Sequence, residues 1–171
     1  MRPLKYVLPT ASDNVRYVFF DFETTYSDKA KLHVHEIVCL QQYCSHCEYA
    51  EHVGVCLSCG KRNHSFWADP VGDMLSYLCE PRPWANKFVA TANNTKAFDM
   101  HFILNRAILL KWKQELIMNG LKIICMKMEQ LVFLESESFL PCALRKLPKA
   151  FVLSASKSWY LRYFNTEENL D

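Results

Sequence analysis

Asp21 and Glu23 stand two positions apart at the end of the apolar run Val18-Phe19-Phe20, with Phe22 between them, and these four apolar residues read as a buried strand. In a strand, residues i and i+2 face the same side. The two carboxylates are therefore expected side by side, projecting from the edge of a packed sheet. Like charges that close repel unless a cation sits between them. A hard divalent ion with oxygen ligands, Mg²⁺ or Mn²⁺, suits the pair. Carboxylates holding such ions form the core of a two-metal phosphoryl-transfer site. An acidic pair closing a strand is also a common solvated turn, and a short motif alone does not separate the two readings. A third carboxylate, Asp99, follows the stretch Asn93-Asn94-Thr95-Lys96-Ala97-Phe98. It is expected in the first turn of a helix, either as a partner of the helix dipole or as a further ligand delivered from a strand-to-helix turn.

A second chemistry is carried by cysteine. Cys44-Ser45-His46-Cys47 and Cys56-Leu57-Ser58-Cys59 form two Cys-x₂-Cys knuckles with eight residues between them. Four thiolates close a tetrahedral, structural zinc site and leave no open position for catalysis. Gly60 permits a tight turn after the second knuckle. The spacer is shorter than the common zinc-ribbon range, and His46, His52 or His64 are alternative ligands. Disulfides and unliganded thiols are the other readings. Disulfides are disfavoured where no secretory signal precedes them. Cys39, Cys79, Cys125 and Cys142 lie in apolar stretches and are expected in the core.

The elements that must position these groups follow from pattern. Tyr17–Phe22 and Glu36–Tyr43 read as strands that can pair antiparallel, and residues 44–64 as a cysteine-rich loop. Pro70 followed by Val71, Met74, Leu75 and Leu78 predicts a helix with proline in its first turn, ended by Pro81 and Pro83. Lys87–Ala92 reads as a strand. Phe98–Trp112 reads as a helix with Met100, Ile103, Leu104, Ala107 and Ile108 at helical spacing, capped by Asn94 or Thr95. After the Asn119-Gly120 turn, Leu121–Met128 and Gln130–Leu134 read as a hairpin, and Arg145–Ala150 as a short helix broken at Pro148. The order predicts an α/β domain with a mixed central sheet. Residues 1–16 are a lead-in and 17–171 one domain, with 44–64 as its zinc-binding insert.

The 171 residues are half apolar and 13% aromatic, enough for one packed core and not a disordered composition. Phe102–Leu110, the most apolar stretch, is interrupted by Asn105 and Arg106, which argues against a membrane span. Met1-Arg2-Pro3 leads into no apolar segment, so an intracellular protein is expected, nuclear or cytoplasmic. Between Ser138 and Asn165 lie five basic residues and no acidic ones, interleaved with Phe139, Phe151, Trp159, Tyr160, Tyr163 and Phe164. Cations track phosphates and aromatic faces stack on unpaired bases. A solvated helix face with its core aromatics gives the same composition.

Taken in order, these segments resemble the exonuclease domain of family B DNA polymerases, most of all the protein-primed polymerases of viruses, linear plasmids and Maverick/Polinton-type mobile elements. Asp21-Phe22-Glu23-Thr24 matches that family's Asp-x-Glu motif. Asn94-Thr95-Lys96-Ala97-Phe98-Asp99 resembles its Asn-x-Lys-Gly-Tyr-Asp motif. Phe133-Leu134-Glu135-Ser136, Phe139-Leu140-Pro141 and Leu144-Arg145-Lys146-Leu147-Pro148-Lys149-Ala150-Phe151 look like the family's next segment, and Lys157–Glu168 like the one after it. The cysteine knuckles fall where element-encoded members carry a cysteine-rich insert. Ala97 and Phe98 stand where the family has glycine and tyrosine, Glu135 replaces an aspartate, and Ser158, Leu161 and Arg162 replace glycine, proline and histidine.

The resemblance implies a ribonuclease H-like 3′→5′ exonuclease fold that removes mismatched nucleotides with two Mg²⁺ or Mn²⁺ ions. Asp21 would bridge both ions, with Glu23 and Asp99 holding one each. Thr24, Asn94 and Phe98 would line single-stranded DNA at a primer terminus, and Lys157 would contact phosphate. A terminal protein and a polymerase domain are the implied protein partners. The family's third exonuclease motif and its polymerase motifs are not among these residues, so a C-terminally truncated, catalytically weak domain is expected. The alternative is an inactive zinc-containing nucleic-acid-binding module, or a remnant, derived from a mobile-element polymerase.

Overall fold

The computed structural model describes residues 15–27, 32–44, 47, 55–56, 58–82, 85–95 and 98–152. Strand β1 (Val15–Ser27) alternates strictly: Arg16, Val18, Phe20 and Phe22 are buried, whereas Tyr17, Phe19 and Asp21 face out. It pairs antiparallel with β2 (Leu32–Tyr43), as the sequence predicts. Phe19 is a departure, since it lies on the exposed face and not in the core. The stretch expected as a loop after β2 contains three short strands, β3 (Val55–Cys56), β4 (Gly60–Lys61) and β5 (Asn63–Phe66). β3 and β4 form their own ribbon, and β5 extends the main sheet beyond β2. Their polar, short sequences carry no alternation that could announce them.

Helix α1 (Pro70–Cys79) starts where Asp69 caps the backbone N–H of Gly72 at 3.3 Å, with Pro70 in its first turn. Strand β6 (Lys87–Ala92) and helix α2 (Asp99–Leu109) follow. The helix is not capped by Asn94 or Thr95; Phe98 holds the cap position without a side-chain bond. Strand β7 (Glu115–Asn119), unforeseen because every residue of it is exposed, forms a hairpin with β8 (Lys122–Met128) across Asn119-Gly120. β9 (Leu131–Glu135) closes the sheet, followed by 3₁₀ turns at Ser136–Ser138 and Leu144–Lys146 and the short helix α3 (Leu147–Ala150). Pro148 starts α3 and does not break it.

The main sheet has seven strands in the order β5-β2-β1-β6-β9-β8-β7. β1, β6 and β9 run parallel at its centre. The apolar sides of α1 and α2 cover one face, where Val18, Phe20, Phe88, Phe133, Met74, Leu75, Met100 and Ile103 form one core. The opposite face around Tyr17, Phe19 and Asp21 stays open. Among the described residues, no helix is long and apolar enough to cross a membrane.

Candidate carboxylate centre and thiolate cluster

The parallel pairing of β1 with β6 ends at Phe19 and Thr91. Beyond it β6 turns away through Asn93 and Asn94, and Asp21 and Glu23 stand at the carboxyl end of the pair. In open α/β sheets this is where ligands bind. β1 is an interior strand that runs on to Ser27 against β2, so the two carboxylates sit just past the end of its parallel pairing with β6 and not at the sheet's edge. Asp21 faces Cys39 across the ladder, and between Glu23 and Thr24 the register steps from Ile37 to His35. Such irregularities re-aim side chains. Cys39, expected in the core, is exposed beside Asp21.

Asp99 lies in the first turn of α2 and is only 9% exposed. Its carboxyl is pushed up from 3.8 to about 7, first by burial and then by the negative charges of Asp21 and Glu23. Asp99 therefore lies in the field of Asp21 and Glu23, although among the described residues the ligand atoms close enough to share one ion are those of the four cysteines. A divalent cation relieves that repulsion directly, since each carboxylate offers hard oxygen ligands. Phe98 precedes Asp99 and is partly exposed, its ring edge-on to Phe102 at 4.9 Å. Thr24 is half-buried in β1 just past the register step, and Asn94 is exposed with φ of 63°. An adjoining cavity of about 810 Å³ lies on the open face, walled by Phe19, Asp21, Cys39, Thr91, Asn94 and Arg145. Lys157 and the aromatic tail around it lie outside the described residues.

Glu135 was not singled out as a site residue by sequence reasoning. It follows the buried alternation of β9 and is wholly inaccessible, and its carboxylate is well supplied with hydrogen bonds. The donors include the N–H groups of Asn94 (2.8 Å), Glu137 (2.8 Å) and Ser138 (3.0 Å) and the Ser138 hydroxyl (2.8 Å). A carboxylate at position five of an otherwise apolar strand is the signal that points to it.

At the far end of β2 the two knuckles meet. The Sγ atoms of Cys44 and Cys47 are 3.6 Å apart, those of Cys44 and Cys56 3.7 Å, and those of Cys47 and Cys59 3.5 Å. All four are buried, and their Sγ atoms lie within 4.8 Å of one another. With Zn–S bonds of about 2.3 Å, a tetrahedron has S···S edges of about 3.8 Å. The four thiols fit a zinc ion. Gly60 turns the second knuckle with φ of 76°. Backbone N–H groups of Cys59 and Ser58 hold the Cys56 thiol down at about 7, the first of them most. Burial and the neighbouring thiols push Cys59 up to about 12. Two buried cations, Arg16 and Arg62, lie in the field of these sulfurs.

The cluster is fastened to the sheet through Gln42, 1% exposed, whose amide donates to the carbonyls of Cys59 (2.9 Å) and Lys61 (2.8 Å). Its carbonyl oxygen accepts from Tyr77 of α1 at 2.9 Å. His64, an alternative zinc ligand on sequence grounds, instead sits on β5 within 2.9 Å of both the Lys61 carbonyl and Tyr77. His46 and His52 lie outside the described residues.

No protein-family model and no curated protein matches the chain. Among solved structures it is similar to Phi29 DNA polymerase complexed with primer-template DNA, a post-translocation binary complex. The match has a TM-score of 0.58 at 14% identity and covers 90% of this chain. It spans 28% of the length of that polymerase, and at this identity the likeness is one of fold.

Proposed function

We propose that this chain belongs to the 3′→5′ proofreading exonuclease region of a family B, protein-primed DNA polymerase, with that region's ribonuclease H-like fold. One observation carries the reading: Asp99 lies in the field of Asp21 and Glu23, whose charges add to burial in raising its carboxyl to about 7. Two acids just past the parallel pairing of β1 with β6, and a third from the first turn of α2 that feels their charge, suit a divalent cation. The ordered sequence motifs and the fold likeness to a DNA polymerase support it.

Mg²⁺ or Mn²⁺ held there would supply an activated water and stabilise the leaving 3′ oxygen. Asp21, Glu23 and Asp99 would hold the ions. Thr24, Asn94, Phe98 and Lys157 contact single-stranded DNA at the primer terminus, Phe98 by stacking. A terminal protein and a polymerase domain are the proposed protein partners, and zinc on the four cysteines is structural.

These residues hold three of the four carboxylates that the family likeness implies. Members of such a unit fail together, so one missing ligand costs orders of magnitude in rate. The 171-residue chain is expected to bind single-stranded DNA in a salt-dependent way and to cleave it weakly or not at all. The test is nucleotide release with Mg²⁺ or Mn²⁺, with Asp21→Ala as control. Turnover equal to an intact proofreading domain, abolished in the control, overturns the incomplete-site reading. Undetectable or salt-insensitive binding overturns the nucleic-acid reading itself. The buried thiolate cluster favours one second reading, a zinc-bearing nucleic-acid-binding module without catalysis. It predicts the same DNA affinity with and without added Mg²⁺ or Mn²⁺.

A further inference from the structure

β6 and β9 are parallel neighbours, and Ala92, the last residue of β6, pairs with Glu135. The turn that leads to Asp99 begins one residue later. Two bonds tie that turn to the end of β9. The Asn94 N–H donates to Glu135 Oε1 at 2.8 Å, and Asn93 Nδ2 donates to Ser136 Oγ at 3.2 Å. Asn94 has left-handed backbone, φ 63°, a conformation that Asn tolerates but that stays fixed only when its surroundings hold it.

A fully buried carboxylate is costly unless its charge is well hydrogen-bonded. A β9 residue needed only for packing would be apolar, as Leu131 and Phe133 are. Three bonds to Glu135 come from the 3₁₀ turn that it caps, whereas the bond from Asn94 spans 41 residues. We propose that Glu135 is a positioning residue: it holds the Asn93–Asn94 turn in its left-handed shape and so sets where Asp99 meets Asp21 and Glu23. This rests on the carboxylate centre proposed above.

Glu135→Asp separates the two roles. The side chain shortens by about 1.5 Å, one carbon–carbon bond. Asp remains a good cap for the 3₁₀ turn but no longer reaches Asn94. The experiment is Mn²⁺ titration of the zinc-loaded 171-residue chain by calorimetry, beside Asp21→Ala, with zinc content and far-UV circular dichroism recorded. Glu135→Asp is expected to weaken Mn²⁺ binding by about 10- to 100-fold, as outer-shell partners of a metal site do, with zinc content and dichroism unchanged. Wild-type affinity in Glu135→Asp overturns this inference alone. Absence of Asp21-dependent Mn²⁺ binding in the wild type overturns the carboxylate centre and this inference with it. Amide exchange of the unmutated protein is a second, variant-free measurement. Strong protection of the Asn94 N–H is expected, and exchange at the rate of a free loop overturns the proposal.

Discussion

Asp99→Asn keeps the shape of the side chain and removes its charge. In the folded protein the Asp99 carboxyl titrates at about 7, raised by burial and by Asp21 and Glu23. In the unfolded chain it titrates near the ordinary value of about 4. Between these values the folded chain keeps a proton that the unfolded chain has lost, so stability falls as pH rises. The slope is at most one proton, about 1.4 kcal/mol per pH unit, and it flattens above about pH 7. Across the whole interval this amounts to about 4 kcal/mol, an upper figure that local relaxation reduces. The asparagine variant has no such slope. Urea unfolding in zinc-replete buffer without Mg²⁺ or Mn²⁺ is the assay. The stability advantage of the variant is expected to grow by about 2 kcal/mol from about pH 5.5 to about pH 8. Any change at the cysteine cluster is common to both proteins and cancels. Saturating Mn²⁺ should stabilise the wild type more than the variant and close the gap. A gap independent of pH, or a variant less stable at about pH 8, refutes the claim that burial and the neighbouring carboxylates raise the Asp99 carboxyl.

Two further outcomes are expected. Zinc binding requires thiolates and releases protons, the Cys59 proton among them, so affinity falls as pH falls. Cys59→Ser should lose the ion and lower the melting temperature, and Co²⁺ substitution should give the thiolate-to-metal absorption of a four-sulfur site in the wild type alone. A wild type that takes up no metal refutes the cluster. At the start of α1, Asp69 both caps Gly72 and pairs with Arg106 of α2, both at partly exposed positions. Asp69→Asn keeps the cap and should cost under about 1 kcal/mol, whereas Asp69→Ala should cost about 1–2 kcal/mol by denaturant unfolding. Equal losses in the two variants would show that the ion pair and not the cap dominates.

The sequence by itself determined what is local. The strand character of Tyr17–Phe22, the Pro70 start of α1, the Asn119-Gly120 turn and the two Cys-x₂-Cys knuckles are written in neighbouring residues, because strand propensity, the proline preference of a helix's first turn and tetrahedral ligation act over a few positions. It missed β5 and β7, whose polar or wholly exposed residues carry no burial pattern, and it misplaced Phe19 and Cys39, whose apolar character does not reveal which face of a strand they take. Tertiary structure alone decided the rest. Only the parallel pairing of β6 between β1 and β9 carries Asp99 to Asp21 and Glu23 across more than 70 residues of chain and gives Glu135 a turn to hold. Likewise, only the fold sets Gln42 beneath the second knuckle. A carboxylate's pKa and a buried hydrogen bond depend on what lies within a few ångströms in space, and strand order in a sheet fixes that, not distance along the chain.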